Sequence, residues 1–370
     1  MIRVTVLGGG NGAYATAADL SLAGHQVRLW RRAEAELKAV RAAGGITLIA
    51  EGRQGKASLA AATADLGEAV TGADVIVVPL PATTHEELAR RLAPHLGERQ
   101  IVLLTPGTFG AYVMAREIAR AGGTLPLAFA ETGTLPYLAR KTGPAEVRAP
   151  VRAANLPAGV FPASRSKEAL GRIAELFPAV RPSADVLDAA LTNAGPVIHP
   201  PLVLINAGAI DRGHFDIHAA GTTASARKLI DAADAERVAA RQGWSYPAPH
   251  YELQTYYDEA RAAEGLYGTG ARAKLTASGL WNETLDFEHR YVREDVVLGL
   301  SLLESAARTV SVASPAVSGL LLVFEAVLGQ RLSGRGRALE HLGLGDLLLR
   351  EIRALLNDGW RSRLWDRVLR

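Results

Sequence analysis

The chain is expected to be an α/β protein, with an N-terminal doubly wound parallel sheet followed by an all-helical second domain. Three observations carry this expectation. The first residues lay out a strand, a glycine turn, a helix and a second strand. Apolar runs at 75–80, 101–105 and 125–130 then alternate with helical stretches. From about Ala184 the strand patterns cease and helical spacing takes over.

The opening strand ends at Leu7 and runs into Gly8-Gly9-Gly10-Asn11-Gly12-Ala13. Gly8 permits the tight turn, Gly10 lets backbone approach a pyrophosphate, and Ala13 is small enough to pack the helix onto the sheet. A helix over 14–22, a turn at Gly24-His25 and a strand over 26–30 complete a βαβ unit of the length a Rossmann-type dinucleotide-binding fold requires. The N–H groups opening the helix at Asn11 and Gly12 would face phosphates, with the helix dipole behind them. The position that usually carries an acid for the adenosine ribose carries Arg31 and Arg32 instead, and the next acid is Glu34. A guanidinium suits a 2′-phosphate, so NADP is favoured, with NAD as the second choice. The alternative is that one or both arginines are a solvated strand end.

The run at 75–80 is a buried parallel strand closed by Pro79 and Pro81. A helix over 83–92, a strand over 101–105, a turn at Pro106-Gly107-Thr108, a helix over 111–120 and a strand over 125–130 follow. Ligands bind at the carboxyl ends of such strands, which adds Pro81 to the cofactor-binding candidates. Segments 147–151 and 159–161 read as a small antiparallel extension, followed by a helix over 167–176. Helical spacing then covers 184–192, 202–210, 225–241, 295–307, 315–328 and 347–356. The domains are expected at 1–183 and 184–370, with an irregular excursion at 243–281 framing a substrate cavity.

Composition narrows the function classes. Cysteine is absent, which excludes disulfides and thiolate metal sites, and the chain opens directly into a strand, with no signal peptide visible. No long uncharged apolar run reaches membrane-spanning length, so a cytoplasmic protein is expected. The formal net charge is only +3, and no basic face with interleaved aromatics suggests nucleic acid. No histidine spacing makes a convincing metal site; His214 and His218 are compatible with one helical face on paper, but nearby glycines weaken that helix.

The reacting groups are sought in the second half. Pro200 and Pro201 suit the first turn of a helix, which would place His199 at its start. The positive end of a helix disfavours imidazolium, so the ring needs a carboxylate partner. Segment 289–296 offers one, together with Arg290 and Arg293. A His–Asp dyad with an adjacent arginine fits a reaction that moves a proton while gripping a carboxylate. Each residue also has a plainer reading, and Asp295 in particular could be the N-cap of the helix that follows.

Taken together, four segments resemble the opine dehydrogenase family over nearly the whole chain. They are the glycine turn at 8–13, the segment Ala130-Glu131-Thr132-Gly133-Thr134-Leu135-Pro136-Tyr137 with Arg140, the pattern of Asn193, His199, Pro200, Asn206 and Gly208, and the pattern of Arg290, Tyr291, Glu294 and Asp295. The stretch Asp234-Ala235-Glu236-Arg237 matches as well. The resemblance implies a second domain similar to the C-terminal domain of 6-phosphogluconate dehydrogenase. It also implies reduction by NAD(P)H of the imine formed between a 2-oxo acid and an amine or amino acid. On that footing His199 is the proton-transfer residue, Asp295 orients it, Arg290 grips the oxo-acid carboxylate, and Thr134 and Glu131 lie where substrate approaches the nicotinamide. A homodimer is the expected assembly. The chain departs from the family at 215–221, at Val297 and at Ala139, which bears on the amine side. The competing readings are a 2-hydroxy-acid or polyol-phosphate dehydrogenase and a non-catalytic nucleotide-binding sensor. Ketopantoate reductase and glycerol-3-phosphate dehydrogenase use a catalytic lysine, and none of Lys38, Lys56, Lys141, Lys167, Lys228 and Lys274 sits in a matching motif.

Overall fold

Twelve strands are found among the residues described by the computed structural model, which are 1–213, 215–281 and 285–370: β1 (Arg3–Leu7), β2 (Gln26–Trp30), β3 (Ile46–Ala50), β4 (Gly55–Ala57), β5 (Ala61–Thr63), β6 (Val75–Val78), β7 (Ile101–Leu104), β8 (Ala128–Thr132), β9 (Tyr137–Gly143), β10 (Glu146–Arg152), β11 (Leu156–Phe161) and β12 (Val180–Pro182). The main sheet has the order β12-β11-β8-β7-β6-β1-β2-β5. Its stretch from β5 to β8 is parallel throughout, and the order reverses between β1 and β6, where such sheets open a ligand crevice. β11 joins antiparallel to β8. Because successive side chains on a strand point to opposite faces, Ile76 and Val78 feed one core while Val75 and Val77 feed the other.

Segments 147–151 and 159–161 do not pair with each other, contrary to expectation. The first lies in β10 of a second sheet, β4-β3-β10-β9, and the second lies in β11 of the main sheet. They cannot form a hairpin because both edges of β10 are taken by β3 and β9 and both edges of β11 by β8 and β12; between them the N–H groups of Ala154 and Asn155 both bond the carbonyl of Leu266. The second sheet packs on the helix that follows the glycine turn, Asn11–Leu22. There the buried Asp19 carboxylate accepts from Arg53, Arg152 and the Tyr137 hydroxyl.

The second half is helical, as expected. The helix carrying His199 spans Gly195–Ile205, so it begins earlier than its prolines suggest. Pro200 and Pro201 lie inside it. The two N–H groups they lack are tolerated because Val197, Pro200, Pro201, Leu202 and Val203 are buried against neighbouring elements. Asp295 is not an N-cap: it lies within a π-helix, Tyr291–Leu300, that continues into the helix Ser301–Thr309. On the helix Pro315–Leu328, residues Leu320, Leu321 and Phe324 are buried, while Leu322, Val323 and Val327 are exposed. The C-terminal residues return to the sheet, where Trp360 and Trp365 pack edge-on or tilted against Phe161. Among the described residues no helix is long and apolar enough to cross a membrane.

Candidate active site

The glycine turn sits at the crevice between β1 and β6. Gly8 has φ +128°, and a side chain there would meet Leu80 Cδ2 at 2.8 Å. Gly9 lies beneath the Arg31 guanidinium, while a Cβ on Gly10 would meet nothing within 4 Å. The turn is thus walled on one side and open at the position where backbone must approach a ligand. The following helix has Gly10 as its N-cap, with no side-chain cap and no acid in its first turn, so its N-terminal field is uncompensated. Asn11 Oδ1 accepts from the Lys141 N–H at 2.9 Å, which ties the turn to β9. Lys141 Nζ lies 3.4 Å from the Gly9 carbonyl oxygen and 3.9 Å over the Tyr14 ring.

Two cations therefore frame the turn, one of them anticipated. Arg31 pairs with Glu36 at 2.5 Å and reaches the Tyr14 hydroxyl. Arg32 points elsewhere, with a side chain 75% exposed and 3.9 Å from Glu87. Gly12 packs on Pro79, at 3.4 Å for an added Cβ, and Pro81 opens the short turn over Ala82–Thr84. A turn with an open Gly10 and flanking cations fits the pyrophosphate and anionic end of a dinucleotide.

The His199 helix and the π-helix cross at two glycines. A Cβ on Gly299 would fall 2.3 Å from Pro196 Cγ, and one on Gly195 would fall 2.5 Å from Asp295 Oδ1. Only bare backbone allows this approach, and its result is a hydrogen bond of 2.6 Å between His199 Nδ1 and Asp295 Oδ2. Tyr291, four residues before Asp295, lies flat on the imidazole, with ring centres 3.6 Å apart and planes 8° from parallel. Its hydroxyl is 2.9 Å from His218 Nε2, and His289 meets its edge. Burial, followed by the nearby His199, pushes the His218 pKa down to about 4, so this ring is neutral.

Arg290 caps the same π-helix. Its guanidinium is half exposed and 3.2 Å from Glu294, and the other Glu294 oxygen accepts from the Ala82 N–H at 3.0 Å. Burial raises the Glu294 pKa. Thr134 is buried, with its hydroxyl 2.7 Å from that of Tyr267 in the 243–281 excursion.

Glu131 does not face open space. It is fully buried and its two oxygens accept from the N–H groups of Phe109 and Ala111. Burial pushes its pKa up to about 7. The same 107–111 turn is gripped from the other side by the buried Arg337, which donates to the carbonyls of Gly107 and Thr108. Arg337 and Lys141 carry no sequence signal as site components. Arg337 and Lys141 reach partners more than a hundred residues away, and no local spacing encodes that. Tyr291 stood in a matched motif without a role attached. His214 lies outside the described residues, and among those described no cluster of three or more His, Asp or Glu could hold a metal.

The comparisons agree with this layout. Residues 182–328 match the family described as NAD/NADP octopine/nopaline dehydrogenase, alpha-helical domain. Residues 3–112 match the N-terminus of NAD-dependent glycerol-3-phosphate dehydrogenase. The opine dehydrogenase of Arthrobacter sp. (strain 1C) is 30% identical over 354 residues, covering 94% of this chain and 97% of that protein. Octopine dehydrogenase in complex with NADH and L-arginine shares the fold, with a TM-score of 0.72 at 20% identity over 95% of this chain and 98% of that one. Yersinopine dehydrogenase with NADP+ bound gives a TM-score of 0.65 at 16% identity over 98% and 99%.

Proposed function

The chain belongs to the opine dehydrogenase family, and we propose how its residues carry out the family's reaction. The enzyme is an NAD(P)-dependent oxidoreductase that reduces the imine formed between a 2-oxo acid and an amine or amino acid. Forming that imine removes both protons of the neutral amine nitrogen, and they leave with the carbonyl oxygen as water. Reducing it places a hydride on carbon and a proton on nitrogen. The nicotinamide, when bound, supplies the hydride.

The chain's residues handle the protons and the carboxylate. Asp295 holds His199 through Nδ1, which leaves Nε2 as the atom that exchanges protons with substrate. The carboxylate also stabilises the imidazolium whenever His199 carries the proton. Arg290 binds the oxo-acid carboxylate, a role favoured by its half-exposed planar fork on the helix that bears Asp295. Thr134 orients substrate from the turn between β8 and β9, through the contact it shares with Tyr267. Glu131 acts indirectly, by holding the 107–111 turn. The observation that carries the reading is the bond of 2.6 Å between His199 and Asp295, made at a glycine crossing beside that arginine.

The cofactor is held by Gly8, Gly10, Asn11, Gly12, Ala13 and Pro81, with NADP preferred over NAD. Arg31 at the end of β2 and Lys141 beside the turn support that preference, because both bring positive charge to the glycine turn, where the adenosine half of the cofactor would lie. Arg32 contributes less, since its side chain points to solvent. The division at 183/184 into a cofactor-binding and a helical unit, a cytoplasmic location for this cysteine-free chain and a homodimer complete the proposal. The test is NADPH consumption with pyruvate, glyoxylate or 2-oxoglutarate paired with a panel of amines. The expected result is consumption that requires both partners. Equal consumption without any amine would make the enzyme a 2-hydroxy-acid dehydrogenase.

A further inference from the structure

We propose that Arg337 and Glu131 are positioning residues for hydride transfer, forming a buried clamp that sets the loops after β6 and β7 against the His199–Asp295 dyad. The inference rests on the reading above, in which Pro81 in the first of these loops contacts the cofactor and Glu131 holds the 107–111 turn in the second. Arg337 is 1% exposed and comes from the irregular segment beyond the helix Pro315–Leu328. Its guanidinium donates to the carbonyls of Gly107, Thr108 and Ala82 and to His85 Nδ1. His85 passes the contact on, with Nε2 donating to the Leu80 carbonyl at 3.3 Å. One side chain therefore fixes both loops, and the side chain of Leu80 is the one that closes over Gly8.

Glu131 completes the hold. In the 107–111 turn the carbonyls face a cation and the amides of Phe109 and Ala111 face the two carboxyl oxygens of Glu131. That turn needs holding, because Thr108 and Phe109 have φ +52° and +64°, left-handed values that residues other than glycine disfavour. The fit leaves no slack: a Cβ on Gly107 would meet Glu131 Cδ at 2.4 Å, and one on Gly110 would meet His85 Nδ1 at 2.3 Å.

Both loops are also tied to the reacting groups on their far side. Thr108 Oγ1 accepts from Asn193 Nδ2 at 3.3 Å, and Asn193 Oδ1 accepts from the N–H of Gly195, the first residue of the His199 helix. The Ala82 N–H goes to Glu294, next to Asp295. Ala82 is thus held through its carbonyl by Arg337 and through its amide by the π-helix. A buried guanidinium and a buried carboxyl group are weak sources of stability compared with apolar packing, and fixing one conformation of the two loops is the role this clamp is assigned.

The test uses the full chain and the variants R337A, R337K and E131Q. Three quantities are read: kcat for NADPH consumption with oxo acid and amine, the NADPH dissociation constant by fluorescence titration, and the thermal midpoint. Misplacing reacting groups by about 1 Å costs roughly 10²-fold in rate, so R337A is expected to lose about that factor in kcat while the dissociation constant changes by less than about threefold. Low-millimolar guanidinium is expected to restore at least about tenfold of the R337A rate and to leave the wild type unchanged. If R337A does not fold, R337K carries the test, since it keeps the charge but not the planar fork, and its expected loss is about tenfold in kcat. E131Q, which offers a donor to one of the two amides, is expected to show the same split. A folded R337A or R337K with kcat within about threefold of wild type, and only a lowered midpoint, would overturn the proposal. So would a loss confined to cofactor affinity. Wild-type reduction of the oxo acid alone overturns the imine reading instead, and the same split is then read on that reaction.

Discussion

Gly195→Ala is expected to disable the dyad without altering either of its members. The new methyl would lie 2.5 Å from Asp295 Oδ1 and 3.1 Å from its Cγ. Ordinary contact begins near about 3.5 Å, so the carboxylate must retreat by about 1 Å. The bond from His199, now 2.6 Å, then lengthens beyond hydrogen-bonding range. A hydrogen bond to a charged group is worth about 1.5–3 kcal/mol, or roughly 10- to 150-fold in rate if all of it is lost in the transition state. Helix propensity works the other way, since alanine is favoured over glycine by about 0.5–1 kcal/mol, so the helix itself is not weakened. The assay is kcat for imine reduction alongside the NADPH dissociation constant and the thermal midpoint. The expected outcome is a fall in kcat of about 10²-fold with cofactor affinity nearly unchanged. Turnover within about threefold of wild type would refute the claim that Asp295 must sit where the glycine crossing places it.

Other consequences are equally direct. His199→Ala is expected to lower kcat by about 10²- to 10⁴-fold while sparing NADPH binding, and an unchanged turnover number would remove it from the mechanism. Arg31→Ala is expected to weaken NADPH more than NADH by about tenfold, read from the two dissociation constants; equal weakening would assign Arg31 to the pyrophosphate or to packing. Burial raises the Glu131 pKa to about 7 against an ordinary 4.5, so folding takes up a proton there between those values. Its contribution to stability is fully present below about pH 4.5 and is lost as pH rises through about 7. E131Q, which cannot ionise, is therefore expected to gain thermal stability relative to wild type as pH rises across that window. A constant difference would show that the carboxylate does not titrate there.

Much of the cofactor half could be read locally. Gly8, Gly10 and Ala13 sit in a strand–turn–helix context in which each has one steric reading, and the structure shows a positive φ at Gly8, open space beside Gly10 and a buried Ala13. The pairing of His199 with Asp295, 96 residues apart, was reachable because the imidazole needed an acid and a motif supplied one. What escaped depends on contacts with no local signature. The prolines read as a helix start because nothing in their neighbourhood shows that packing holds the helix through them. Asp295 read equally well as a cap, since a π-helix has no distinctive periodicity over so short a span. Glu131 read as a substrate contact because its burial is set by β8 and by the 107–111 turn that folds over it. Arg31 and Arg32 were adjacent and indistinguishable in sequence, yet the strand end sends one over Gly9 and the other to solvent.

The central claim is that hydride reaches an imine carbon under the control of the His199–Asp295 dyad. Its most direct test is to incubate the enzyme with NADPH deuterated at the transferable position, an oxo acid and an amine, and to identify the labelled product by mass spectrometry. The account predicts one deuterium on the α-carbon of a secondary amine that joins the two substrates, and no such product from His199→Ala. Deuterium found only in the 2-hydroxy acid, at the same rate with or without amine, would contradict it.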